Sequence, residues 1–204
     1  MPDFAKPLDE QDVDADPVTQ FKDWFRIAEE QGVRAPEAAV VATASAAGRP
    51  SARMVLVKRA DARGFVFFTN YRSRKGQELA ENPHAALLFY WDALGRQVRI
   101  EGPVRRLAPE ESAAYVRSRP RSSQLSALAS AQSRPVPDRQ ALERAVSELA
   151  AEHADGELPV PDWWGGFLLE PESFEFWQHR EDRLHDRLRY TPSDGDWRIE
   201  RLAP

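Results

Sequence analysis

The sequence has no cysteine anywhere in its 204 residues. Disulfides, thiolate nucleophiles and cysteine-held zinc or iron–sulfur centres are therefore excluded, and a cytoplasmic setting is the natural expectation. No apolar run approaches the roughly 18 residues a membrane-spanning helix needs. The amino terminus also lacks the charged-then-apolar pattern of a secretory signal, so no membrane partner is expected. Lysine is scarce, with Lys6, Lys22, Lys58 and Lys75 standing against a large arginine population. A lysine kept in such a chain marks a candidate position for a compact ammonium on a flexible stem, although chance retention reads the same way. The usual catalytic signatures are missing as well: there is no phosphate loop, Gly-rich dinucleotide fingerprint, Gly-x-Ser-x-Gly elbow or His-Glu-x-x-His.

What is present suits a folded protein, with 42% hydrophobic residues, ten Phe and six Trp. The length fits a single domain. The net charge of -5 is concentrated at one end, because Asp3, Asp9, Glu10, Asp12, Asp14 and Asp16 outweigh Lys6. The rest of the chain is balanced, so there is no global basic field of the kind that draws nucleic acid. Residues 1–16 read as a flexible acidic tail before a single domain at 17–204, although such a head also orders over a site when ligand binds.

Asp16-Pro17 is a helix cap followed by Pro at the first helical position, and Gly32 ends that helix. Val18, Phe21, Phe25 and Ala28 lie on one of its faces. Short β-branched and aromatic runs at 38–45, 53–59, 64–69, 85–91 and 97–106 predict antiparallel strands. Ser73 caps a short helix to Glu81. Helices are expected at 109–117, 123–130 and 138–152, the last burying Leu142, Val146 and Leu149. Strands at 166–170, 173–177, 183–190 and 197–202 close the chain. Strands at this spacing without βαβ alternation predict a mainly β fold with peripheral helices, a closed or split antiparallel barrel.

Four clusters could carry chemistry. In Arg53–Lys58, period two puts Arg53, Val55 and Val57 on one face and Met54, Leu56 and Lys58 on the other, which equally fits two snorkelling end residues. The run 69–75 is a strand end entering a helix start. Its free N–H groups, hydroxyls, Arg74 and Lys75 would suit a phosphate or a solvated turn. In 115–124, Arg119 offers a planar fork between Tyr115 and Ser123, and a polar helix–helix turn is the other reading. If 183–189 is extended, Arg183, His185, Arg187 and Arg189 form a cationic row that requires an anion, facing carboxylates or solvent. His179, Glu181 and His185 match no standard metal spacing, so no metal is expected. Together the clusters serve about two phosphate-sized anions, with flat aromatic surface such as Trp177 nearby.

Ten motifs in order carry a resemblance: Arg53–Lys58, Phe67-Phe68-Thr69-Asn70, Ser73-Arg74-Lys75, Arg96-Gln97-Val98, Ser118-Arg119-Pro120, Ser123-Gln124, Gln132-Ser133, Trp163-Trp164-Gly165-Gly166, Phe176-Trp177-Gln178 and Arg183–Arg187. The sequence resembles the pyridoxamine 5′-phosphate oxidases along nearly its whole length. The resemblance implies an FMN-binding split-barrel homodimer with FMN at the subunit interface. It further implies oxidation of pyridoxamine or pyridoxine 5′-phosphate to pyridoxal 5′-phosphate by O₂, giving peroxide. Carried over by position, FMN would meet Arg53, Met54, Val55, Leu56, Lys58, Phe68, Thr69, Ser73, Arg74, Lys75, Gln97, Gln132, Ser133, Trp177 and Arg187. The substrate phosphate would meet Lys58, Tyr115, Arg119 and Ser123, with Arg183 and His185 acting over the pyridine ring as catalytic residues.

The chain departs from the family pattern in places. Phe68 stands where many relatives have Tyr, Ala35 where some have Asp, and the N-terminal arm lacks an Arg-x-x-Tyr segment. Leu125–Leu128 lacks an aromatic, and His179-Arg180 replaces a Gly-containing turn. A related flavin oxidase of phenazine-type biosynthesis and a non-catalytic FMN or pyridoxal-phosphate carrier are the competing readings. The complete set Lys58, Tyr115, Arg119 and Ser123 disfavours the first, and retention of Arg183 and His185 disfavours the second.

Overall fold

Asp16 starts helix α1 (Pro17–Glu30) by accepting the N–H groups of Val18 and Thr19 at 3.3 and 3.0 Å, which satisfies donors that a helix start leaves unpaired. The computed structural model describes residues 7–154 and 156–204. The buried side of α1 is Phe21, Trp24 and Ala28; Phe25 and Val18, expected with them, are half-buried. Phe21 packs against Phe65, Phe89 and Trp91, and Trp24 meets Phe176 edge-on at 5.2 Å. Helix α1 thus plugs one side of a sheet whose inward face is aromatic. Burying each such ring contributes about 1.5–3 kcal/mol.

The strands are β1 (Ala38–Ala44), β2 (Pro50–Asp61), β3 (Gly64–Asn70), β4 (His84–Trp91), β5 (Arg96–Arg106), β6 (Trp164–Leu169), β7 (Ser173–Gln178), β8 (Asp186–Ser193) and β9 (Asp196–Arg201). They form one antiparallel sheet in the order β4-β1-β2-β3-β6-β5-β7-β8-β9, and an additional β4–β5 pairing closes the first six into a barrel. The fold is therefore mainly β, a split barrel, as the strand spacing indicated. Strand β5 makes the split. Its first part pairs with β4 and β7, and its last residues, 104–106, turn to β6. Gly102 allows this corner, because a Cβ there would collide with the Glu170 carbonyl. Beyond the barrel, β7, β8 and β9 extend the sheet as a wing.

Helix α2 (Arg74–Glu81) follows β3, capped by Ser73. Helices α3 (Pro109–Ser118), α4 (Arg121–Ala129) and α5 (Arg139–Glu152) connect β5 to β6. Helix α5 differs from expectation. None of its residues is fully buried, and Leu142 is 39% exposed, because its main neighbour is α4 rather than the barrel.

Two further expectations are corrected. Residues 8–14 are not free of the body. Leu8 is buried, the Leu8 N–H bonds Asp186, and the Tyr190 hydroxyl donates to the Asp14 carbonyl at 2.8 Å. The first six residues lie outside the described residues. The segment 183–190 is not one strand either: 181–183 is a tight 3₁₀ turn with Asp182 and Arg183 at φ of 55° and 62°, and β8 begins only at Asp186. Arg183 and His185 therefore lie on the turn before β8 and not in one extended row with Arg187 and Arg189.

Candidate active site

Where β3 runs into α2, the chain gathers hydroxyls around one buried ammonium. Lys75 is 7% exposed, and its Nζ donates to Thr69 Oγ1 at 2.8 Å, Gln132 Oε1 at 2.9 Å and Ser73 Oγ at 3.2 Å. All three acceptors are neutral. Burial, with repulsion from Arg53, pulls the Lys75 pKa down to about 8. Gly76 allows this crowding, since a Cβ there would strike the Tyr71 main chain. The neighbouring arginines are held differently. Arg74 Nε lies 2.8 Å and Arg53 Nη2 3.3 Å from Glu78, and Arg53 also bonds Thr43 and Ser51. Burial alone would raise the Glu78 pKa. Hydrogen bonds from Ser51, Thr43 and Arg74 and the charge of Arg53 outweigh it and hold the carboxyl at about 2. Lys75 is thus the member of the basic group that lacks a carboxylate partner among the described residues.

A cleft of about 420 Å³ opens beside this point, lined by Thr69, Asn70, Gln132, Arg119, Ser123 and Trp164 among others. Arg119 lies over the Trp164 ring at 4.9 Å, and its Nη1 is buried with no hydrogen-bond partner among the described residues. An unsatisfied buried donor costs about 1–3 kcal/mol, which an anion in the cleft would offset. Phe68 stacks on Tyr115 at 3.6 Å with 14° between planes, and Trp164 runs parallel to both. Phe68 and Trp164 line the cleft, which gives it a flat aromatic surface. The helix starts and strand ends therefore bring Thr69, Ser73, Lys75, Gln132, Arg119 and Ser123 to one neighbourhood. Ser133 follows Gln132 with a positive φ of 71°. Lys58 is not among the residues lining this cleft. A register shift between Val57 and Arg59 lifts it from the ladder, and it pairs with Glu37 at 3.3 Å.

The outward face of the sheet holds the remaining candidates. Tyr90, Gln97, Trp177 and Arg187 are in register across β4, β5, β7 and β8. Met54 and Leu56 stand on the same outward side of β2, 61% and 46% exposed, while Val55 turns inward with Arg53. Arg187 is clamped by the buried Glu175 at 2.9 and 3.1 Å, and Arg99 joins that carboxylate at 2.7 Å. The bond to Glu175 raises the Arg187 pKa. His185 packs its ring 4.7 Å from Trp177, and Arg183 is exposed on the turn above. A second, open cleft of about 1110 Å³ lies here, lined by Tyr90, Gly95, Trp177, His179, Leu184 and Asp186 among others. The two clefts share no lining residue.

Sequence reasoning missed Glu78, Glu175, Asp186 and Arg201 as organisers of these clusters. The i,i+4 spacing of Arg74 and Glu78 was a readable signal. Glu175 had one too, as a charge between the strand aromatics Phe174 and Phe176. Arg201 and its distant partners gave none.

An anion-receptive cleft against a closed six-stranded barrel, with Met54, Leu56 and Tyr90 exposed on the outward sheet face, fits a class: the FMN-binding split barrels. Comparison with known proteins narrows it. Residues 26–153 match the pyridoxamine 5′-phosphate oxidase family, and residues 164–204 match the pyridoxine 5′-phosphate oxidase C-terminal dimerisation region. The pyridoxine/pyridoxamine 5′-phosphate oxidase of Herminiimonas arsenicoxydans is 54% identical, covering 99% of this chain and 96% of its own. The chloroplastic pyridoxine/pyridoxamine 5′-phosphate oxidase 1 of Arabidopsis thaliana is 51% identical over 96% of this chain and 38% of that protein. PhzG from Burkholderia lata 383, solved in complex with tetrahydrophenazine-1-carboxylic acid, has a TM-score of 0.89 at 36% identity. That match covers 100% of this chain and 97% of the other. The chain belongs to the pyridoxamine 5′-phosphate oxidase family.

Proposed function

We propose that two copies of this chain form an oxidase that converts pyridoxamine and pyridoxine 5′-phosphates to pyridoxal 5′-phosphate, with O₂ reduced to peroxide. The supporting observation is a cleft served by two cations that lack a carboxylate partner among the described residues, Lys75 behind Thr69 and Gln132 and Arg119 beside Ser123. Two phosphorylated planar molecules lying together fit that charge pattern. The residues present suit FMN, since the buried ammonium of Lys75 at a helix start is a seat for its phosphate. Ser73 and Arg74 border that seat, and Arg53 shapes it through Glu78. Met54, Val55, Leu56, Phe68, Thr69, Gln132 and Ser133 would flank the ring from one copy. Gln97, Trp177 and Arg187 would flank it from the other, because they lie in register on the outward face and none of them lines the cleft that Thr69 and Gln132 border. Lys58 would join the substrate phosphate once its partner Glu37 yields.

When bound, FMN would supply the two-electron acceptor that oxidises the substrate's amine- or alcohol-bearing carbon and passes the electrons to O₂; the alcohol gives the aldehyde directly, and the amine gives it once water has released ammonia. The protein positions and polarises. Tyr115, Arg119 and Ser123 hold the substrate phosphate, while Arg183 and His185 of the second copy orient the pyridine ring, with the Arg183 charge favouring its phenolate. The higher identity to the vitamin B6 oxidases than to PhzG favours this substrate over a phenazine precursor. A cysteine-free chain suits the cytoplasm. The test adds each phosphate ester to FMN-loaded protein under air and follows aldehyde and peroxide. Formation of neither product from either ester refutes the reading. Arg183→Ala is expected to cut turnover about a hundredfold with FMN retained, and near-normal turnover removes Arg183 from the mechanism.

A further inference from the structure

His185 lies on the turn between β7 and β8, with the rings of Trp177 and His179 4.7 and 5.2 Å away. Its Nδ1 accepts the main-chain N–H of Arg180 at 3.1 Å. A peptide N–H only donates, so Nδ1 presents a lone pair and the proton of the neutral ring sits on Nε2. The Arg180 turn is itself braced. Arg180 Nε lies 3.1 Å from Asp186 Oδ2, which also accepts the Leu8 N–H at 3.1 Å. Asp186 Oδ1 accepts from Arg201 Nη1 at 2.8 Å. Arg201 then reaches the arm, donating through Nη2 to the Leu8 carbonyl at 2.7 Å and to Glu10 at 2.9 Å. The Asp186 side chain is only 12% exposed. One carboxylate therefore ties the N-terminal arm, the turn and the last strand together beside His185.

We propose that Asp186, held by Arg201 and the arm, fixes the Arg180 turn and so keeps His185 in the Nε2–H tautomer. His185 then meets the substrate as a hydrogen-bond donor and not as a proton acceptor. This rests on the reading that His185 contacts the substrate ring. Asp186 and Arg201 are positioning residues, acting through the turn without touching the ligand. The opposite tautomer would set two donors against each other, Nδ1–H facing the Arg180 N–H, and is disfavoured by about tenfold or more.

The four histidines of the chain make ¹⁵N-histidine labelling of the FMN-loaded protein interpretable, with H185Q assigning the ring in question. We expect wild-type His185 to show an unprotonated Nδ1 and a protonated Nε2. In D186N, both tautomers are expected, with kcat on pyridoxine 5′-phosphate falling about tenfold and KM changing less than about threefold. R201K, which keeps a cation on Asp186, is expected to retain the tautomer and most of kcat. A wild-type ring protonated at Nδ1 overturns the proposal without any variant. A D186N protein in which tautomer and kcat do not change together also overturns it. Should D186N fail to fold, R201M against R201K carries the same comparison. Wild-type kcat in H185Q would instead refute contact between His185 and substrate, an outcome separate from the tautomer measurement.

Discussion

Lys75 offers the sharpest test of the phosphate seat, because its burial has a thermodynamic sign. The folded chain holds its pKa at about 8, against 10.5 for the ordinary group. Between those values the unfolded chain binds more protons, so stability rises with pH through this window. Below pH 8 the cost of burying the ammonium is fully present, about 3 kcal/mol from the size of the shift. Above 10.5 it is gone. Burial and neighbouring carboxylates push Tyr71, Tyr90 and Tyr190 up from the ordinary tyrosine value, which adds a separate pH dependence, and Lys75→Met isolates the lysine. In urea melts of FMN-free protein, the stability of wild type relative to K75M should climb by about 3 kcal/mol from pH 8 to 10.5. Loading with FMN should flatten that climb, since a phosphate beside the ammonium favours its charged form. K75M should also bind FMN about 10–100-fold more weakly, the worth of a charge-assisted hydrogen bond. Parallel pH curves for the two FMN-free proteins would refute the account of Lys75 as a buried cation awaiting an anion.

Three other perturbations follow from separate contacts. Glu175→Gln removes the carboxylate shared by Arg99 and Arg187 and should cost about 2 kcal/mol after allowing for the partial exposure of both arginines. A urea-melt loss below about 0.5 kcal/mol would contradict the clamp. Met54→Glu puts a charge on the exposed outward face and should yield monomers in sedimentation at micromolar concentration, with FMN lost; an unchanged dimer would show that this face stays uncovered. Ala35 holds a left-handed φ of 53°, so Ala35→Gly should raise stability by about 0.5–1 kcal/mol, and a lowered melting temperature would contradict that.

The barrel was legible because its strands obey period two. Arg53 and Val55 turn inward while Met54 and Leu56 turn outward, as the alternation required. The cap at Asp16 and the basic start of α2 were equally local, written within four residues of where they act. The turn at 181–183 was hidden, because Asp182 and Arg183 adopt left-handed backbone without the glycine that would announce it. The arm was hidden for another reason. Its acids look like a solvated tail until Arg201, about 190 residues away, supplies their partner, and no local pattern encodes such a contact. The phosphate role of Lys58 came from the family resemblance, since its strand position fits a snorkelling end residue equally well; a register shift in the β2–β3 ladder, which no local pattern announces, leaves it paired with Glu37.

The absence of any lining residue common to the two clefts has a genetic consequence. If each working site takes Arg119 from one copy and Arg183 from the other, an allele damaged at Arg119 and an allele damaged at Arg183 are each inactive alone. Expressed together they should complement. Half of randomly assembled dimers would be mixed, and each mixed dimer would place both lesions in one site and leave the other intact. Recovered activity would approach about a quarter of wild type. Selection then acts on the pair of copies as the unit of function, and a dominant-negative effect is limited because a mixed dimer still carries one sound site.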